Sequence, residues 1–464
     1  MPELQRTYSP IDGSLVASRE LADGARVEGT LAAAQTAQAA WSETSLDERI
    51  ALIERMVEAI TARADVIAEE LARQMGRPVR DGPKEIRGGY AERALAMAEL
   101  APAALADVEV GGAPGARRLI RRRPIGVALV LAPWNYPFLT AVNAVVPAIL
   151  AGNAVVLKHS DQTPLAAERI AEAFAEAGLP PSVLQVLHMS HATTAEVIGD
   201  QRIGYVHFTG SVEGGRAVKR AAAERFIGVG LELGGKDPAY VRADADLDHA
   251  VAGLVDGALF NAGQSCCGIE RIYVQRERFD AFVEGFLALA RGYRLGDPRD
   301  PETTLGPMVR TANAELAREH VRAAVARGAV PLIDPKTFPA AADGTPYMAP
   351  QVLINVRQSM RVMQEETFGP VVGIMPVDGD EEAVRLMNDS RYGLTASVWT
   401  TDLDTAERLG TRLATGTCYA NRCDYLDPSL PWSGVKDSGH GLSLSRFGFE
   451  PFTRTLALNL KAPG

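Results

Sequence analysis

Cysteine is scarce in this 464-residue chain, which has only Cys266, Cys267, Cys418 and Cys423. Neither pair has the C-x-x-C spacing of a zinc or redox site, so no metal is expected. The start, Met1-Pro2-Glu3-Leu4-Gln5, lacks a basic n-region and an apolar h-region; no export signal is read, and a reducing cytoplasm is expected, where Cys266 persists as a thiol. Concentrated positive charge is also missing. The net charge is −10, and the only basic cluster, Arg117, Arg118, Arg121, Arg122 and Arg123, has no aromatic residues interleaved. That excludes a nucleic-acid groove, and an acidic chain does not collect on anionic membranes. These arginines read instead as the solvated face of a strand. No repeat of fixed period and no low-complexity segment appears.

An uninterrupted membrane span is absent too. Residues 125–157 are apolar and long enough to cross a bilayer, but Pro133, Pro137, Pro147, Asn135, Asn143 and Asn153 divide them. They become a strand (127–131), a turn, a helix and a second strand (154–158), a buried β-α-β unit. With 47% apolar and 23% charged residues the chain is globular, with two or three domains. Ser45 and Glu48 form a capping box opening a helix with Ile50, Ile53, Met56, Val57 and Ile60 on one face, stopped at Gly76-Arg77-Pro78. Helix 164–177, strand 183–187, strand 204–208, helix 213–224 and strand 227–233 complete a doubly wound α/β half. After the Gly234-Gly235 break, helix 246–260, strand 271–274, helix 278–291 and further elements to about 430 form a second α/β domain.

The chemistry concentrates in Gly263-Gln264-Ser265-Cys266-Cys267, a thiol beside a Gly-Gln turn. Glu232, a lone carboxylate in Leu231-Glu232-Leu233-Gly234-Gly235-Lys236, stands 34 positions earlier as a candidate general base for hydrolysing what the thiol captures. The junction Phe208-Thr209-Gly210-Ser211-Val212-Glu213-Gly214-Gly215 places a sharp turn, a hydroxyl and free helix amides where a phosphate can bind, although it is not G-x-G-x-x-G. Lys158 and Asp161 follow a strand end, where a parallel sheet gathers ligand contacts. Asp161 can accept from both adenosine ribose hydroxyls and repel a 2′-phosphate, favouring NAD over NADP. The bland alternatives are a solvated lysine cap and a helix N-cap at Asp161.

Pro133-Trp134-Asn135-Tyr136-Pro137, Phe208-Thr209-Gly210-Ser211, Leu231–Lys236, Phe260-Asn261-Ala262-Gly263-Gln264-Ser265-Cys266 and Glu365-Glu366-Thr367-Phe368-Gly369-Pro370 occur in the order seen in the aldehyde dehydrogenase superfamily. The chain resembles the hydrolytic, NAD(P)-dependent branch of that superfamily. The resemblance implies a Rossmann-like cofactor domain (1–105 and 125–235), an α/β catalytic domain (236–433) and a small β oligomerisation element (106–124 and 434–464), with homodimers or homotetramers. It implies Cys266 as nucleophile, Glu232 as the base that activates water, and Asn135 with the Cys266 backbone N–H as oxyanion donors. Glu232 is expected to be made a better base by apolar neighbours. Trp134, Lys158, Asp161, Gly210, Ser211, Gly215, Leu233, Glu366 and Phe368 are implied around NAD, with NADP use possible because Asp161 is one methylene shorter than the usual Glu. His159 replaces a usual Pro and is assigned no role; Cys267 is expected to be packing.

The substrate expected is a small-molecule aldehyde, apolar or aromatic, against a wall of Tyr136, Tyr425 and Trp432. Asn143 stands where resembling succinic-semialdehyde enzymes place an arginine, which counts against a semialdehyde, although Arg271, Arg391 and Arg422 are unplaced. A cysteine hydrolase lacks a histidine in a matching motif, a CoA-acylating relative has no use for Glu232, and a silent structural relative is expected to lose Cys266, Glu232 or Asn135.

Overall fold

A computed structural model describes residues 3–111 and 116–461. Of the expected domain segments, only residues 1–2, 112–115 and 462–464 lie outside the described residues. Strand Val127–Ala132 is buried at every position, and its side chains alternate between two cores. Ala128, Val130 and Ala132 join one cluster, with the helices Leu46–Thr61, Ala91–Leu105 and Pro137–Leu150. Val127, Leu129 and Leu131 join the opposite cluster, with Leu31 and Val218. This period-2 division makes Val127–Ala132 a central strand covered on both faces. It pairs in parallel with Ala154–His159 on one side and Ile203–Thr209 on the other. Leu184–Val186 and Gly228–Glu232 extend the sheet in parallel, and Gly439–His440 adds an antiparallel edge.

Among the described residues the second sheet has seven strands, parallel except for the short edge strand Val330–Pro331. Asp237–Val241 sits inside it between Ile269–Gln275 and Thr395–Trp399. The strand ending at Glu232 and the strand starting at Asp237 therefore belong to different sheets, with the glycine pair crossing between them. The capping box at Ser45 and Glu48 forms as expected, and Gly76 ends the helix Ala64–Met75 in the left-handed region at φ 86°. Among the described residues no helix is long and apolar enough to cross a membrane.

Strand Ala116–Pro124 carries the arginine run and pairs antiparallel with Thr453–Lys461. Residues 434–464 do not all join that pair. Gly439–His440 pairs with the Glu232 strand, and Phe449 and Phe452 are buried in the core that holds Ala128, Val130 and Ala132. Gly439–His440 answers backbone groups that the edge strand ending at Glu232 would otherwise leave unpaired.

Candidate active site

The turn that carries Cys266 is held in a costly conformation. Asn261, Ala262 and Gly263 lie consecutively at positive φ, 53°, 56° and 66°. Each non-glycine residue in this region costs about 1–2 kcal/mol. A Cβ on Gly263 would collide with the Gly369 carbonyl, so only glycine fits there. The strain is balanced by hydrogen bonds. The Gln264 carbonyl accepts from Asn135 Nδ2 and Asn261 Nδ2, both at 3.2 Å, and Gln264 Oε1 accepts from the Val309 N–H at 2.8 Å. The Asn135 amide thus reaches the backbone two residues before the thiol, and one of its two N–H donors stays available.

Asn135 is itself braced. Its carbonyl accepts from Arg77, which pairs in the interior with Glu85 and hydrogen-bonds Asn261 Oδ1 at 3.3 Å. The other Glu85 oxygen accepts the Phe138 and Leu139 N–H groups at 2.9 and 3.2 Å. The helix Pro137–Leu150 has no side-chain cap of its own, so Glu85 caps it from another element.

Glu232 differs from expectation. It is buried, but its carboxylate is met by hydroxyls, not apolar groups: Thr209 Oγ1 donates at 3.0 Å and Ser443 Oγ donates to the other oxygen. His207 Nε2 lies 3.7 Å away. Ser443 comes from the tail assigned to the oligomerisation element. It is there because its backbone exchanges both hydrogen bonds with Trp432, at 2.8 and 2.9 Å. No spacing in the sequence signals that contact.

Cys266 and Glu232 line one cavity of about 210 Å³, with Cys267, Thr209, Tyr136, Leu139, Asn143, Arg93, Leu426 and Trp432. Hydrogen bonding with the Cys267 thiol, followed by burial, pushes the Cys266 thiol well above its ordinary value. Cys267 is buried among core residues, and all four cysteines are free. The expected aromatic wall is incomplete. Tyr136 and Trp432 line the cavity, but Tyr425 turns outward, its hydroxyl donating to Glu92 at 2.6 Å and its ring beneath Arg422. Leu426 takes its place. Arg271 is spent on the carbonyls of Lys236, Leu386 and Met387, and Arg391 on Asp437.

On the other side of the cleft a groove of about 830 Å³ is lined by Trp134, Lys158, Asp161, Gly210 and Ser211. Ser160, Ser190, His191 and Thr194 also line it and were not foreseen, although Ser190 has a readable N-cap signal, accepting the Thr193 N–H at 3.0 Å. Ser211 caps its helix by accepting the Gly214 N–H at 3.1 Å, which leaves its own proton without an acceptor among the described residues. Lys158 Nζ has one backbone acceptor, His159, at 3.3 Å, and burial lowers its pKa. Unused donors beside the amides of a helix start fit an anionic dinucleotide. Asp161 does not cap the following helix; it pairs with Arg310 at 3.1 Å. Gly215 and Leu233 do not line this groove. Gly215 is buried against the Leu233 side chain, so the two are packing behind the turn.

Glu366 and Phe368 do not line the groove, but Phe368 packs on Trp134, which does. The Phe368 ring meets Trp134 edge to face, centroids 5.6 Å apart. The Glu366 carboxylate accepts the Gly235 N–H at 3.0 Å, and a Cβ on Gly234 would strike it. Burial first, then the charge of Glu270, raises Glu366 to about 8. His159 is a buried loop histidine, its Nε2 2.9 Å from the Pro137 carbonyl, and burial lowers it to about 4.

A doubly wound sheet with an anion-fitting groove, joined across a cleft to a second α/β sheet that presents a thiol opposite a carboxylate, is the architecture of a dinucleotide-linked oxidoreductase. The chain belongs to the aldehyde dehydrogenase family, whose profile matches residues 2–457. It is 34% identical over 452 residues to a succinate semialdehyde dehydrogenase [NAD(P)+] of Escherichia coli K12, covering 96% of each chain. A betaine aldehyde dehydrogenase of Cereibacter sphaeroides is 34% identical over 445 residues, covering 96% of this chain and 91% of that one. The crystal structure of an NAD-dependent aldehyde dehydrogenase from Sinorhizobium meliloti superposes with a TM-score of 0.94 at 34% identity, covering 100% of this chain and 92% of that one.

Proposed function

We propose that this protein oxidises an aldehyde to its carboxylic acid with NAD or NADP, capturing the substrate on Cys266 and releasing it with water activated by Glu232. The observation that carries this reading is the single cavity lined by both Cys266 and Glu232, beside a turn to which the Asn135 amide is bonded. Hydrogen bonding with Cys267, followed by burial, favours the protonated Cys266 thiol, so its proton passes to solvent water as the sulfur engages the substrate, and Glu232, lining the same cavity, stays ionised for the later step. The sulfur bonds to the aldehyde carbon, and the oxygen becomes an oxyanion that accepts from Asn135 Nδ2 and the Cys266 N–H. A nicotinamide dinucleotide bound in the groove supplies the hydride acceptor. Lys158, Ser211 and the helix amides bind its anionic and hydroxyl groups, while Trp134, Phe368 and Glu366 orient the end nearest the thiol. Glu232 then takes a proton from water, whose oxygen attacks the resulting thioester; the acid leaves and the thiol returns.

The E. coli relative's name includes NAD(P)+ and the S. meliloti protein's NAD, which supports either cofactor here. The relatives differ in the aldehyde they are named for, so their names leave the substrate open. A homodimer or homotetramer built on Thr453–Lys461 belongs to the same proposal, since that strand pairs only with Ala116–Pro124 among the described residues. A cytoplasmic setting is supported by the free cysteines.

The test follows reduced-cofactor absorbance with an aldehyde panel and no CoA. Wild type is expected to turn over and Cys266→Ala to give nothing. Glu232→Gln is expected to keep a first-turnover burst while the steady rate falls on the order of 10²–10⁴-fold. Cofactor reduction by Cys266→Ala, or an absolute need for CoA, would sink the proposal.

A further inference from the structure

Among the charged groups lining the cavity at Cys266, one cation forms no salt bridge among the described residues. Arg77 pairs with Glu85, and Lys84 pairs with Asp81 at 3.2 Å. Arg93, from the helix Ala91–Leu105, is buried at 6% exposure and forms no salt bridge among the described residues. Its Nη1 donates to the Leu139 carbonyl at 2.7 Å and to Asn143 Oδ1 at 3.3 Å. Its Nε is shut off from water with no acceptor, and Nη2 has none among the described residues. A buried guanidinium with two donors on one edge unanswered is missing an acceptor, because such donors are costly to leave unpaired.

We propose, resting on the aldehyde-oxidising reading, that this cavity takes a short aldehyde bearing a carboxylate at its far end, and that Arg93 binds that carboxylate. Nε is enclosed, so the carboxylate is taken by Nη2, the donor left without an acceptor among the described residues, in a charge-assisted hydrogen bond. Leu139, Leu426 and Trp432 give an intervening methylene chain an apolar wall. A cavity of about 210 Å³ is smaller than the roughly 300–1,000 Å³ that holds drug-sized ligands, which favours a short chain. The missing arginine at Asn143 then loses its force. Asn143 is the residue to which Arg93 is bonded, so the cation arrives at that spot from a neighbouring helix. The carboxylates whose charge acts on Arg93 are Glu232 and Glu92, neither of which pairs with it, and Asp424, which also lines the cavity, is raised by burial to about 7.

The experiment compares kcat/KM for a four-carbon aldehyde ending in a carboxylate with that for the same-length aldehyde ending in a methyl group, in wild type, Arg93→Lys and Arg93→Met. Wild type is expected to favour the carboxylated aldehyde by about tenfold to a hundredfold, chiefly in KM, as expected for a hydrogen bond to a charged group. Arg93→Met should bring that ratio close to unity, with Arg93→Lys between. Wild type showing no preference would overturn the proposal while leaving aldehyde oxidation intact. An equal loss with both aldehydes in Arg93→Met, together with a shifted pH profile, would also overturn it, assigning Arg93 to the Cys266 and Glu232 charges. If wild type oxidises neither aldehyde, titration calorimetry on Cys266→Ala separates the two ideas: tighter binding of the carboxylated compound upholds the Arg93 site, and equal or absent binding removes it.

Discussion

On the cavity side of Cys266 the ion pair of Arg77 and Glu85 is buried and bonded to several neighbours, whereas on the groove side the charged groups are more open and carry few bonds each. Arg77 alone joins Glu85, Asn135 and Asn261, and Glu85 also caps a helix. Lys158 has one backbone acceptor, and Asp161 pairs with Arg310 where both are more than half exposed. The difference separates what the protein holds fixed before any ligand arrives from what a ligand completes. An oxyanion donor, the role proposed for Asn135, has to be in place when charge develops, and Asn135 is braced in advance. A dinucleotide brings its own hydrogen-bonding groups, so the groove keeps donors spare.

The largest test of this contrast removes one partner on each side. Glu85→Gln is expected to destabilise the fold by about 3–5 kcal/mol, as for a broken buried ion pair, and to lower kcat as Asn135 loses its brace. Asp161→Asn should change stability by only about 0–1 kcal/mol. Denaturant unfolding of the two variants compares them directly; equal losses would erase the distinction.

A mid-sized effect is expected where the two sides meet, at Glu366. Its carboxyl, raised to about 8, is largely protonated at neutral pH, and ribose hydroxyls donate best to the ionised form. NAD affinity measured by fluorescence titration should therefore rise with pH up to about 8, by up to about tenfold per unit, and Glu366→Gln should flatten that rise. The same shift works against the fold. Between the ordinary carboxyl value and about 8 the native state holds a proton that the unfolded chain has released, so this contribution to stability fades as pH rises through that window.

The smallest effect concerns cofactor choice. Arg310 neutralises Asp161, weakening the repulsion that a lone carboxylate would exert on a 2′-phosphate. Arg310→Ala is expected to lower the NADP-to-NAD ratio of kcat/KM by a factor of about two to five, the scale of an exposed ion pair. An unchanged ratio would show that Asp161 does not face the 2′ position.

Much of this was readable in one dimension. The apolar run at 127–131, divided by prolines from its helix, could only be a strand covered on both faces, and the structure buries it so. The Gly263 turn, Cys266, Asn135 and Glu232 are local motifs, and they converge on one cleft. Gly215 and Leu233 lay in the right motifs but pack behind the groove, because a motif records a turn without recording which of its residues faces out. Tyr425 was misread for a similar reason: an aromatic in a loop has no periodicity to say which way it points.

By itself the sequence determined the two α/β sheets and the family, and it singled out the thiol and the carboxylate proposed to react, since each rests on residues near one another in the chain or on periodic burial. Only the tertiary structure decided what surrounds them. Ser443 reaches Glu232 from more than two hundred residues away. Glu85 caps a helix that cannot cap itself. Arg93, with no salt bridge among the described residues, stands where the sequence shows only Asn143. Buried polar groups must find partners wherever the fold brings them, and those partners leave no spacing to read.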